Sequence, residues 1–122
     1  MYFTVVRVID YAILGTIPYD KALLNIGNAM DIRSGKFTAP KKGTYFFSLT
    51  IYTNTESWAT IDHNNVVAVA TVANEGLHSA SAQATLQLEP GDVVYTSLGQ
   101  GKLYSFMQYH QTHFTGYLLQ EL

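Results

Sequence analysis

The sequence predicts an all-β sandwich or barrel, and three observations carry that prediction. Apolar and polar residues alternate over much of the chain. Turn signals recur about every ten residues, and no stretch of a dozen residues carries helical periodicity. At 122 residues the chain has the length of one domain, taken as residues 1–122. It buries roughly two-thirds of its unfolded surface on folding, enough for a core without cross-links.

The elements follow in order along the sequence. Phe3 to Val8 is the first expected strand, and Gly15, Pro18 and Gly27 punctuate what comes after it. Gly35 to Ala39 is the next, stopped by Pro40 and Gly43. From Thr44 to Tyr52 the alternation is clear: Tyr45, Phe47, Leu49 and Ile51 share the face that enters the core. Thr44, Phe46, Ser48, Thr50 and Tyr52 share the other. Two aromatic rings on that outer face need cover, which a neighbouring subunit supplies. Trp58 to Asp62 and Val66 to Ala73 are strands on either side of Asn64-Asn65. After Asn74 to Gly76, the stretch Ala80 to Leu88 separates cleanly, with Ala80, Ala82, Ala84, Leu86 and Leu88 on one face. Glu89-Pro90-Gly91-Asp92 is a strong turn signal, and Val93 to Leu98 is the return strand. Beyond Gly99 and Gly101, His113 to Gln120 closes the series. No internal repeat, low-complexity tract or linker interrupts it.

Composition excludes several function classes. Charged residues are 13% of the chain, about half the usual share of roughly 25%. Nine tyrosines on so uncharged a chain point to surface covered by a subunit or reserved for ligands. A net charge of −2 and scattered basic residues argue against nucleic acid, which wants a basic face. There is no cysteine, hence no disulfide and no thiolate metal site. No run approaches the roughly 20 apolar residues of a membrane span. Arg7 and Asp10 interrupt the apolar start, so it fails as the h-region of a secretory signal. The expectation is a chain made without a signal, or a mature domain carrying an added Met1.

The stretch Tyr19 to Leu49 resembles the signature of the C1q domain family. Tyr19, Asn25, Met30, Phe37, Gly43, Tyr45 and Phe47 match its spaced aromatic, polar, apolar and glycine positions. The run Ser34-Gly35-Lys36-Phe37-Thr38-Ala39-Pro40, followed by Gly43-Thr44-Tyr45-Phe46-Phe47, is the most specific part. Leu86 to Val94, with Gly91 in its turn, is similar to the family's strand, turn and return strand. Phe114-Thr115-Gly116-Tyr117-Leu118-Leu119 is similar to its closing strand. Tyr19, Met30 and Leu49 depart from the usual residues but keep their bulk, and the first fifteen residues match loosely. Phe37, Tyr45, Phe47 and Phe114 also make physical sense alone, as large rings to bury. Gly43 and Gly91 suit turns. Gly116 within a strand suits the close approach of a backbone or a bulky ring.

The resemblance implies a ten-strand jelly-roll sandwich, related to tumour necrosis factor and assembling as a threefold homotrimer. Its members are mostly secreted or extracellular recognition modules. With no Gly-X-Y stalk and no cysteine, this chain is most similar to the stalkless invertebrate lectins of innate immunity. Glycans, or a cell-surface protein, are the partners that follow. A receptor-binding or purely structural trimerisation domain is the alternative. Some members hold calcium through loop carboxylates and carbonyls; the carboxylates here are dispersed, so no cofactor is expected.

The chemistry-bearing side chains fit binding better than catalysis. His110 and His113 are three apart and on a strand would face opposite ways, which opposes shared metal ligation. The H-x-H pattern of the metal-holding cupin jelly rolls is absent. Asp62-His63 and Glu75 with His78 are acid–imidazole pairs without a flagged nucleophile; beside turn signals they are expected as solvated loop residues. A sugar site needs a ring for the apolar C–H face and hydrogen-bonding groups for the hydroxyls. Trp58, His63, Asn64, Tyr104, Tyr109 and His110 are the candidates on that ground. Trp58 suits core or trimer packing as well, and Tyr104 and Tyr109 suit packing on a threefold axis.

Overall fold

The computed structural model describes residues 1–105 and 110–122. Eleven strands run through the described residues: β1 (Tyr2–Arg7), β2 (Gly15–Thr16), β3 (Lys21–Ile26), β4 (Met30–Asp31), β5 (Lys36–Thr38), β6 (Gly43–Thr53), β7 (Ser57–His63), β8 (Val66–Ala73), β9 (His78–Leu88), β10 (Val93–Gln100) and β11 (Thr112–Glu121). The eight strands expected from alternation and turn signals all form. The remaining three, β2, β3 and β4, carried no period-2 signal.

The strands build two antiparallel sheets, ordered β3-β1-β11-β6-β9 and β4-β5-β10-β7-β8, with β2 alongside β10. This is the jelly-roll sandwich. The long β6 pairs along its whole length with β9, from Gly43 opposite Leu88 to Thr53 opposite His78. Consequently the Glu89–Asp92 turn, which carries the chain from one sheet to the other, lies at the same end as Gly43. The 54–56 and 74–77 turns lie at the opposite end.

The core fills the space between the sheets. On β6, Tyr45, Phe47, Leu49 and Ile51 are fully buried while Phe46, Ser48 and Thr50 are half-exposed. Rings from both sheets meet there: Phe3 lies 5.4 Å from Phe37 and 5.2 Å from Phe114, and Phe47 lies 5.9 Å from Phe114, measured between centroids. Such offset and edge contacts add to the burial of large apolar surfaces. Gly116 of β11 lets this cluster close, because a Cβ there would sit 2.5 Å from Phe3 Cε2 and 2.8 Å from Phe47 Cδ1. Ala84 faces the same way as buried Ala82 but is half-buried, since β9 is an edge strand.

Two polar anchors hold the ends of the core. The Tyr19 phenol is paired with Thr96 Oγ1 at 2.7 Å. Burial pushes its pKa up, against the weaker pull of that hydrogen bond and of Arg7. Arg7 is itself buried, donating to Pro18 O at 3.0 Å and Ile9 O at 3.2 Å with its guanidinium 4.6 Å from the Tyr11 ring. It thereby ties the crossing from β1 toward β2 to the strand it leaves.

Candidate functional site

The side chains singled out for ligand contact fall at two ends of the sandwich. His63 and Asn64 stand at the Gly43 end, where Asn64 and Asn65 make the β7–β8 turn with φ of 48° and 70°. Asparagine tolerates this left-handed backbone better than most residues. Asn64 Oδ1 accepts from Val93 N at 2.8 Å, and Asn64 Nδ2 donates to Asp92 Oδ1 at 3.1 Å. His63 Nε2 lies 3.1 Å from Asp92 Oδ2, and Tyr95 donates its hydroxyl to Asn65 Oδ1 at 2.8 Å. Asp92 also accepts from Glu89 N at 3.0 Å. That backbone donor, followed by Asn64 and His63, holds its carboxyl below the usual carboxylate range. His63 and Asn64 therefore fasten the 89–92 turn.

Trp58, Tyr104 and His110 stand at the opposite end. Trp58 is 39% exposed, and its indole lies across Gly99, where a Cβ would fall 2.0 Å from Cζ3. A residue with any side chain at 99 would lift the ring off the sheet. Tyr104 lies 6.1 Å from Tyr52, ring to ring, and donates its backbone N–H to Tyr52 O at 2.8 Å. Thus Tyr52, on the outer face of β6, gets its cover from within the chain. His110 adopts φ of 62°, and its carbonyl lies 3.2 Å from His113 Nδ1. Tyr109 lies outside the described residues. Trp58 and His63 are five residues apart on β7, about 17 Å at the ~3.3 Å rise of a strand. The candidates do not form a single site.

Two of the acid–imidazole expectations need correction. Asp62 is a buried strand residue, 8% exposed, rather than a solvated loop residue. Its carboxylate accepts from Thr60 Oγ1 at 2.8 Å and Ser97 Oγ at 2.7 Å, while neighbouring His63 pairs with Asp92. His78 begins β9, opposite Thr53, and is exposed like Glu75, though not in a loop. Sequence reasoning missed Asp62, Thr60, Ser97 and Asp92 as structural partners. Period 2 places Thr60 and Asp62 in phase with Trp58, but the opposing Ser97 is visible only once β7 and β10 pair.

One more surface stands out. Tyr2, Tyr117 and Phe46 pair in register across β1, β11 and β6, on the side of the first sheet away from the core. Phe46 and Tyr117 rings are 5.2 Å apart. Ile26 continues the row at β3 and is 48% exposed. Along the edge of the second sheet, Val66, Val67 and Val72 of β8 are also exposed.

Comparison with known proteins agrees with this architecture. A family model described as "C1q domain" matches residues 3–119. Caprin-2 of Danio rerio is 34% identical over 109 residues, covering 84% of this chain and 12% of that protein. Heavy metal-binding protein HIP of Mytilus edulis is 31% identical over 107 residues, 83% of this chain and 50% of that one. Complement C1q tumor necrosis factor-related protein 3 of Mus musculus is 34% identical over 103 residues, 80% and 42% respectively. The chain thus spans half or less of the length of these relatives. Among solved structures, the globular domain of zebrafish complement 1qA superposes with a TM-score of 0.85 at 16% identity, covering 99% of this chain and 98% of that one. Murine APRIL does so with 0.77 at 12% identity, covering 97% and 98%. At those identities the likeness is one of fold.

Proposed function

The chain belongs to the C1q domain family, a family of non-catalytic recognition modules, and we propose that it acts outside cells as a trimeric carbohydrate-binding protein of innate defence. Residues 1–122 serve as a binding domain. The observation that carries the sugar reading is the indole of Trp58, exposed and packed directly over Gly99. A flat, rigid ring is the platform on which the apolar face of a pyranose stacks, and Tyr104 and His110 stand at the same end of the fold. His63 and Asn64, being 17 Å or so away along β7, serve a second contact at most.

Two different apolar surfaces support the trimer. The row Ile26, Tyr2, Tyr117 and Phe46 lies on a sheet face, whereas Val66, Val67 and Val72 lie along an edge strand. Face against edge is a heterologous contact, and it closes into a ring when the rotation divides a full turn. Three copies around one axis cover both surfaces, and three weak sugar sites then bind a glycan-coated surface together. The mussel relative's name says that it binds heavy metal. Among the described residues of this chain no three His, Cys, Asp or Glu side chains gather to hold an ion, so metal is not part of the proposal. No helix among the described residues is long and apolar enough to cross a membrane.

The test pairs light scattering with a glycan array. A trimer that binds glycans, and a Trp58→Ala trimer that loses them, is the expected result. An intact trimer that binds no glycan removes the sugar reading. Capture of one saturable cell-surface protein by that trimer then favours a receptor-binding role.

A further inference from the structure

We propose that the outer face of the second sheet holds a saccharide bearing a protonated amine, with the ammonium on Asp62 and a sugar ring against Trp58. This rests on the glycan reading above and names the ligand class. On β7, Ala59 and Ile61 enter the core, so Trp58, Thr60 and Asp62 point to the opposite side. Ser97 stands opposite Thr60 and Tyr95 opposite Asp62 on β10, with Val72 opposite Trp58 on β8. Although they point away from the core, Thr60 and Asp62 are only 4% and 8% exposed. The polar group lies sunk in the sheet surface, with the indole at one end and the Tyr95 ring at the other.

What this group offers a ligand is decided by its hydrogen atoms. Thr60 and Ser97 each own one hydroxyl proton, and both protons go to the Asp62 carboxylate. Only lone pairs remain for a further donor. Among the described residues no Lys, Arg or His lies within ion-pair distance of Asp62; their ion pairs go to Asp10, Asp20, Glu89, Asp92 and Glu121. Lys36 Nζ sits over the Tyr95 ring, 5.3 Å from its centroid. A sunken carboxylate without an ion pair has lost hydration in return for two hydrogen bonds and no ionic contact. An ammonium brings a charge and three donors to a set made entirely of acceptors, which a neutral sugar hydroxyl does not match. Trp58 and Asp62 are four residues apart, about 13 Å along the strand, the span of a saccharide of two or three rings. The face lies on the opposite side of the sandwich from the Tyr2, Tyr117 and Phe46 row, and Trp58, Thr60, Asp62 and Ser97 lie on β7 and β10, inside the β8 edge that meets that row in the trimer.

Isothermal titration calorimetry of the intact protein with a β-1,4-linked glucosamine trisaccharide, against its N-acetylated counterpart, tests this at pH 6, where an amine is protonated. The expected result is about ten-fold tighter binding of the amine form, the size of one added charge-assisted contact. Asp62→Asn, the same size without the charge, abolishes the preference, and Trp58→Ala weakens both ligands. Equal affinities in the wild-type protein, a comparison that needs no variant, overturn the role of Asp62 and leave the glycan reading standing. So does a preference that survives Asp62→Asn. Failure of both trisaccharides while other glycans bind on the array overturns the proposal alone; failure of every glycan takes the glycan reading with it. Displacement by a lysine-rich peptide with no binding of the amine saccharide overturns it in favour of a protein amine.

Discussion

Gly116→Ala is the substitution whose cost can be worked most directly from the packing. The added methyl would lie 2.5 and 2.7 Å from Phe3 Cε2 and Cζ and 2.8 Å from Phe47 Cδ1. All three are shorter than a carbon–carbon contact can be without movement. Phe3 has no room to swing, with Phe37 and Phe114 rings 5.4 and 5.2 Å from its own and only 2% of its surface exposed. Overpacking a tight core costs about 1–3 kcal/mol, and contact with two rings places this case at the upper end. Chains of this length gain about 0.25 kcal/mol per kelvin of unfolding entropy at the midpoint, so ~3 kcal/mol lowers Tm by about 12 °C. Calorimetry at fixed protein concentration checks it, since assembly makes Tm concentration-dependent. The same methyl in a Phe3→Leu background meets a smaller side chain and costs under ~1 kcal/mol, a coupling of about 2 kcal/mol. A neutral Gly116→Ala, or a double variant whose losses simply add, would refute the claim that β11 carries glycine to admit the Phe3 ring.

Three further outcomes follow. Asp92→Asn lowers stability at pH 7. The carboxyl of Asp92 is held below its ordinary value in the folded protein, so its contribution is complete above the unfolded value of about 3.9 and disappears as pH falls through the folded one; urea titrations at pH 7 and pH 2 show the wild-type and variant curves converging in acid. Gly99→Val drives the indole of Trp58 off the sheet, because even a Cβ falls 2.0 Å from it; the tryptophan emission shifts and glycan-array signal falls while the circular dichroism stays that of a β-sheet protein. Phe46→Glu places a charge in the row with Tyr117; sedimentation shows monomer at micromolar concentration, with the same far-ultraviolet spectrum, and retention of the trimer excludes that face as the contact.

Much of the fold was legible along the chain because it depends on period-2 patterning, which is local. Thr44 to Tyr52 announced which four side chains enter the core, and the structure buries all four. The Glu89–Asp92 turn needed only its Pro-Gly pair, and Asn64-Asn65 needed only two residues tolerant of positive φ. β3 was not legible. Lys21-Ala22-Leu23-Leu24-Asn25-Ile26 does not alternate, and nearly all of it is exposed. It becomes a strand because the free edge of β1 offers backbone partners, through a bulge between Thr4 and Val5.

The candidate site divides along the same line. Which residues could bind, Trp58 and the polar loops, was visible in composition, since side-chain chemistry belongs to each residue alone. Which of them meet was not, because β7 carries Trp58 and His63 to opposite ends and β10 brings Ser97 to Asp62 from 35 residues away. Burial of Asp62 is a property of that pairing. One sequence position fixes which face a side chain takes, while what stands beside it on that face is decided by a strand from elsewhere in the chain.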